Sequence, residues 1–329
     1  MPSPALRATI GLLVIAAVLA SLPLWTGAAN LRLVGEIMGY MALAVLWNLL
    51  AGYAGLVSVG QQAFVGLGGY ALFIAVKFLG FPPLAAVPLA FLAAGLAATV
   101  LAPLLFRLEG AYFAVGTWVA AETVALIFAA FPAIGAGAGM SLPAAAVKGI
   151  ASSKSMREWL IYWIMLALGL GILGGTYALI RSKAGLALMA LRDNATAAGS
   201  VGVDIWWTRF WTYIGTAAAT GAVGSVIFLQ KLRISPDAGF SLNDWTAIVI
   251  FIVVIGGIGR IEGAIVGTLL YFLLRELLVD YGSIYLIVLG LAGILVMIFS
   301  RGGIWGIVEQ RLGWSLLPTR RLRKERDAG

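Results

Sequence analysis

The sequence predicts an all-α, polytopic integral membrane helix bundle with about ten transmembrane helices and both termini in the cytoplasm. Three observations carry this. Hydrophobic residues make up 62% of the chain and charged residues only 11%, with a mean hydropathy of +1.01. An ordinary soluble domain has about a quarter charged residues, because it needs them to cover its surface. The apolar residues gather in runs of about 20, the length that crosses a hydrocarbon core as a helix. Gly, Pro and basic residues fill the gaps between those runs, so the formal net charge of +8 reads as membrane topology and not as a nucleic-acid footprint.

The first span is expected at about residues 10–29. Arg7 ahead of an apolar stretch resembles a signal peptide, but the stretch is uncharged from Ile10 to Leu31 and lacks a small-x-small cleavage site, so a retained span is expected. The second covers about 33–51; a Gly-rich break at 52–60 precedes the third, at about 61–79. Pro82 and Pro83 mark the turn into the fourth, about 84–106, and the fifth runs about 111–131, ending near Pro132. A more polar segment, 132–158, leads to the sixth span at about 159–180, and a second, 181–208, to the seventh at about 209–230. Three more follow near 244–259, 262–279 and 283–300, then a basic tail at 301–329. The whole, 1–329, reads as a single transmembrane domain.

An even number of spans puts both ends on one side. Termini-inside places 14 of the 22 Lys and Arg in the cytoplasm, as the positive-inside rule asks, with the tail supplying much of the excess. Cys and His are both absent, which removes disulfides, thiolate catalysis and the usual zinc, copper and haem ligands. With no clustered carboxylates either, a membrane-embedded enzyme is not expected, nor is a metal or cofactor in this chain. At an offset of 201, Gly55, Ala63, Val65, Gly66, Tyr70 and Leu72 align with Gly256, Ala264, Val266, Gly267, Tyr271 and Leu273. This is either an internal duplication or a chance match of Gly- and Val-rich helices.

Four segments carry polar or Gly-rich character where apolar helix is expected. In the first, Gly52, Gly55 and Gly60 interrupt a charge-free stretch from Ile37 to Val76, followed by Gln61 and Gln62. Such a break lines a translocation path, or is a tight turn with small-residue packing at Gly66, Gly68 and Gly69. In the second, Glu109 suits a helix start, whereas Glu122 lies inside a span, either as a functional carboxylate or as hydrogen-bonded glue between helices. In the third, 181–202, Ala, Leu and Met favour a short helix ended by Gly202, with Arg192, Asp193 and Asn194 as a polar edge. That helix docks into a partner's groove or lies flat among headgroups. In the fourth, Gly256 to Gly267, the glycines lack the Gly-Lys-Ser/Thr ending and follow an apolar span, so nucleotide binding is rejected in favour of a tight turn with Arg260 and Glu262.

Taken in order, these segments resemble the permease subunits of branched-chain amino-acid ABC importers, over roughly residues 35–305. The Gly-x-x-Gly-Leu-x-Ser-x-Gly-Gln-x-x-Phe block is Gly52 to Phe64, and the Gly-x-Tyr-Phe-Ala-x-x-Thr block is Gly110 to Thr117. Arg192, Asn194, Ala197, Ala198 and Gly202 match the cytoplasmic loop, and Gly256, Gly257, Gly259 and Gly263 the late Gly turn. The pair Trp206-Trp207 and Arg260 depart from the pattern.

The resemblance implies an ATPase-coupling loop at 181–208 through Arg192, Asp193, Asn194, Ala197, Ala198 and Gly202. It also implies translocation-path candidates at Gly55, Ser58, Gln61, Gln62, Tyr112, Thr117 and Glu122. The partners it implies are a second homologous permease, two ATPase subunits holding ATP and Mg, an extracytoplasmic solute-binding protein and the bilayer of the bacterial inner membrane. This chain is similar to the longer of the two permeases. Branched-chain or related amino acids are the implied cargo, with urea, amides or carboxylic acids as alternatives. A self-sufficient secondary transporter or channel with Glu122 as a proton or ion site is the competing reading.

Overall fold

The computed structural model describes residues 16–151, 153–278, 284–300 and 302–312. The start of the expected first span and most of the basic tail lie outside the described residues. Among the described residues the fold is all-α apart from one two-stranded antiparallel pair. In chain order the elements are α1 (Ala28–Asn48), α2 (Gln61–Phe78), α3 (Ala86–Leu105), α4 (Ala111–Ala130), β1 (Met140–Ser141), α5 (Ala144–Ile150), α6 (Lys154–Arg181), α7 (Lys183–Asp193), α8 (Ala195–Ser200) and α9 (Ile205–Lys231). They continue with β2 (Arg233–Ile234), α10 (Pro236–Gly239), α11 (Ile248–Gly256), α12 (Ile261–Leu278), α13 (Ile284–Phe299) and α14 (Gly303–Leu312).

Several boundaries differ from the expected ones, each for a local reason. Helix described from residue 16 stops at Ser21, because Pro23 and Gly27 intervene, and α1 starts afresh at Ala28. Helix α6 starts earlier than the apolar run, at Lys154, where the Ser153 hydroxyl caps it by accepting from the Met156 amide. Helix α9 likewise starts at Ile205, where the Asp204 carboxylate accepts from the Trp207 amide at 2.9 Å. Helix α1 ends in a π-turn, Leu49–Tyr53, before the chain becomes irregular through 54–60.

Among the described residues, six helical segments are long and apolar enough to cross a membrane: 28–53, 86–105, 111–130, 154–181, 205–231 and 236–256. Three other expected spans are less apolar or shorter. Helix α2 opens on two glutamines and carries Lys77 in its last turn, α12 carries Glu262, Arg275 and Glu276, and α13 has 16 residues.

Small residues organise the core. Ala86, Ala90, Ala94, Ala98 and Ala102 recur every four residues along α3 and are all fully buried, while Leu92, Leu96, Val100 and Leu104 form the exposed opposite face. The alanine stripe lies on α9, where a Cβ at Gly221 would come within 2.3 Å of the Ala94 methyl. On its other side α9 presses into α2: a Cβ at Gly68 would sit 1.9 Å from the Gly221 carbonyl oxygen, and one at Gly224 would sit 2.4 Å from that of Val65. Close backbone approach through small residues is how helices associate in lipid, where apolarity alone gives no preference for a protein neighbour. Ion pairs tie helices together, Arg275 on α12 to Glu36 on α1 and Arg32 on α1 to Glu158 on α6.

Candidate functional site

The four segments singled out in the sequence meet at the 52–60 break. Gly52 lies against Gly259 so closely that a Cβ would fall 2.5 Å from the Gly259 nitrogen. Asn48, on the last turn of α1, clamps the same turn from below. Its Nδ2 donates to the Arg260 carbonyl at 2.8 Å, and its Oδ1 accepts from the Gly259 amide at 2.7 Å. From the third segment, Arg192 at the end of α7 donates through Nη1 to the Gly52 carbonyl at 2.8 Å. The Gly55 backbone has φ +70, the left-handed region open to glycine, and its Cβ position faces the Arg192 backbone at 3.4 Å.

At the other end of the break, Gly60 packs on α4. A Cβ there would land 2.2 Å from the Thr117 carbonyl oxygen, and the Val59 amide donates to Thr117 Oγ1 at 3.0 Å. The Trp47 indole N–H donates to the Ser58 carbonyl at 2.7 Å. Backbone groups freed by breaking a helix at membrane depth must be satisfied by protein or water, and here side chains from α1 and α4 do much of it.

The glutamines that open α2 are both buried. Thr246, in the π-turn Asn243–Ala247 ahead of α11, donates to Gln62 Oε1 and accepts from the Gln62 backbone N–H at 3.2 Å, while Gln62 Nε2 has no partner among the described residues. Gln61 lacks even that oxygen contact: neither its side-chain nitrogen nor its oxygen has a hydrogen-bond partner among the described residues, although the residue is 3% exposed. A primary amide buried unpaired costs about 1–3 kcal/mol, so its site suits a polar visitor or a water that completes it.

The structure thus gathers Ser58, Gln61, Gln62 and Thr117 in the interior around the break, with Gly55 at the Arg192 contact. It does not bring Tyr112 and Glu122 to them. Both sit on the exposed face of α4, where Glu122 Oε1 accepts from the Trp118 indole at 3.2 Å.

The 181–208 segment is helical as its composition predicts, but the single helix expected to run to Gly202 is split in two at Asn194, whose side chain caps the second. Ser182 caps α7, and Gly185, Leu188 and Leu191 turn inward. Asn194 Oδ1 accepts from the Ala197 amide to start α8, and Gly202 takes φ +90 after it. Asp193 pairs with Arg192 at 3.0 Å and stays exposed with Asn194, Ala197 and Gly202, while Ala198 is buried. Arg192 therefore faces two ways, inward to Gly52 and outward to Asp193.

Two contributors, Asn48 and Thr246, were not singled out from the sequence, and the role of a third, Arg260, was not read. Asn48 is the polar residue of an otherwise apolar α1 turn, and that isolation was its signal. Thr246 had none, since threonine is tolerated in spans. Arg260 stood out as a departure, and its reason is now plain: it pairs with Glu309 on α14 at 2.8 Å and donates to the Gly302 carbonyl at 3.2 Å. The Trp206-Trp207 departure joins Phe210 and Trp211 in an aromatic cluster on the first turns of α9.

The family model for the permease component of branched-chain amino acid transport systems matches residues 29–300. The chain belongs to that family. It is similar to the high-affinity branched-chain amino acid transport system permease protein LivM of Salmonella typhimurium, 26% identical over 300 residues that cover 84% of this chain and 69% of the relative. LivM of Escherichia coli is 25% identical over the same shares. The probable permease LivH of Methanocaldococcus jannaschii is 32% identical over 120 residues, 36% of this chain and 35% of that one. No solved structure matches the chain. The chain is accordingly a membrane permease component and not an enzyme.

Proposed function

We propose that this chain is one of two unlike membrane-spanning subunits of an ATP-binding cassette importer for branched-chain or related amino acids. A solute-binding protein delivers the cargo on the outer side, and separate ATPases bind ATP and Mg. The chain has ten spans in the bacterial inner membrane with both termini in the cytoplasm, and Asp193, Asn194, Ala197 and Gly202 meet the ATPase.

One observation carries this reading: Arg192, at the end of the half-buried α7, is hydrogen-bonded to Gly52 inside the broken-helix segment. A push on α7 from outside the membrane reaches the 52–60 break through that contact, and from there Asn48 and the 259–260 turn. Coupling needs an element with two arrangements that both sites bias. The irregular stretch between the π-turn and α2 is suited to be that element, and Ser58, Gln61, Gln62 and Thr117 around it are the path-lining candidates. Glu122 and Tyr112 belong to the path on the face of α4 that a second permease covers, since an ionisable group inside a span faces protein or water far more often than lipid.

The test is a mild-detergent purification of the tagged chain with mass spectrometry of its companions, followed by uptake in liposomes. The expected result is a second permease, two ATPase subunits, and amino-acid uptake that requires ATP and the binding protein. A chain recovered alone that moves solute without ATP would overturn the importer reading.

A further inference from the structure

At the bundle end opposite α7, a cavity of about 240 Å³ lies between the first turns of α1 and α6 and the end of α9. Its rim is cationic: Arg32, Lys154 and Arg157 line it with a single acid, Glu158. Glu158 is held by Arg32, whereas Lys154 and Arg157 have no anionic partner among the described residues. Among the described residues, two positive charges at the mouth thus have no carboxylate facing them.

The floor is apolar and runs inward. The lining follows one face of α6 from Lys154 to Met165, a distance of about 16 Å along a helix. Gly35 of α1 leaves it open, because a Cβ there would meet only the Tyr162 ring, at 4.0 Å. The rim also lies at headgroup level by an independent sign: Trp159 and Trp163 form an aromatic pair on the same stretch of α6, and indoles concentrate at the membrane interface.

We propose that this slot binds the phosphate and glycerol backbone of an anionic phospholipid from the adjacent leaflet. Lys154 and Arg157 take the phosphate, and the floor between Gly35 and Met165 takes the start of the acyl chains. An acidic side chain of a soluble partner would reach the rim but leave that floor unfilled, which favours lipid as the occupant. The site is independent of the importer reading.

The test is native mass spectrometry of the protein purified in mild detergent with its subunits. It is titrated with phosphatidylglycerol, phosphatidylcholine and inorganic phosphate. Phosphatidylglycerol is expected to bind in preference to phosphatidylcholine, with roughly fivefold lost for each cation removed, hence about 25-fold in K154Q/R157Q. R157Q alone serves if the pair does not fold. Gly35→Leu, which fills the floor and leaves every charge in place, is expected to weaken the lipid by at least about fivefold at unchanged thermal stability. Binding as in the parent by both G35L and the charge variants would overturn the proposal. So would displacement of the lipid by an equal concentration of inorganic phosphate, which would make the rim a simple anion site. Variants that keep the lipid but lose capture of an added solute-binding protein would overturn it in favour of a protein-docking patch.

Discussion

Helices α9 and α4 are both apolar and long enough to span a bilayer, yet 78% of the spanning part of α9 is buried in the fold and only 17% of that of α4. The difference lies in side-chain size. Helix α9 reads Gly-Thr-Ala-Ala-Ala-Thr-Gly-Ala-Val-Gly-Ser over 215–225, and its glycines let α2 and α3 approach to backbone contact. Helix α4 turns Phe113, Thr117 and Ala121 inward and leaves Tyr112, Val115, Val119 and Leu126 outside with Glu122. In water, apolarity would drive both helices inward; in lipid it does not distinguish them, and small residues decide which helix becomes the core. The carboxylate on the uncovered face of α4 is then the feature that asks for a further neighbour.

The largest effect should come from breaking the seam of α9. Gly224→Leu and Gly68→Leu drive side-chain atoms into backbone and should cost about 3 kcal/mol or more, read as a lost or strongly lowered melting transition in detergent. The matched control is Gly215→Leu on the same helix, where a Cβ meets nothing within 4 Å; it should shift stability by less than about 0.5 kcal/mol. Equal damage from both would mean that close backbone contact at Gly68 and Gly224 is not what makes α9 the core.

Next in size, Asn48→Ala removes both clamps on the 259–260 turn and leaves the part-buried Gly259 N–H unpaired, for about 1–2 kcal/mol in thermal unfolding. Arg192→Gln should leave assembly intact and lower ATP-coupled uptake by about tenfold, through loss of a charge-assisted hydrogen bond to Gly52. Asp193→Lys should also cut uptake, by acting on the outer side of the same arginine. Smallest in stability terms is Glu122→Gln, an exposed site where stability should stay within about 0.5 kcal/mol of the parent in thermal unfolding. Its uptake should nonetheless fall; normal transport would take the outer face of α4 out of the path and leave the buried Gln61 and Gln62 as the better candidates.

Much of the candidate site is legible in the sequence itself. The glycines at 52, 55, 60, 256, 257 and 259 mark places where helices must break or approach closely, and their interruption of charge-free runs is visible in one dimension. The helical character of 183–193 follows from its alanines and leucines, but the chain breaks at Asn194, whose side chain caps a second short helix, and Gly202 ends that one instead. The alanine stripe of α3 is equally readable, since a four-residue repeat of the smallest side chain is a packing seam. The starts of α6 and α9 are not found by apolarity, because Ser153 and Asp204 begin those helices in polar stretches, where a cap outweighs composition.

By itself, the sequence determined the solvent, the helical class, the places where spans break and the family, because each depends on composition or local spacing. Tertiary structure alone decided that Arg192, Gly52 and Gly259 share one junction, that Gln62 is answered by Thr246 while Gln61 is not, and that Glu122 lies on the opposite side of α4 from them. Such contacts join residues far apart in the chain, as Asn48 and Gly259 are at 211 positions. No local rule carries such a pairing; it follows only once small residues have set which helices touch and at what depth.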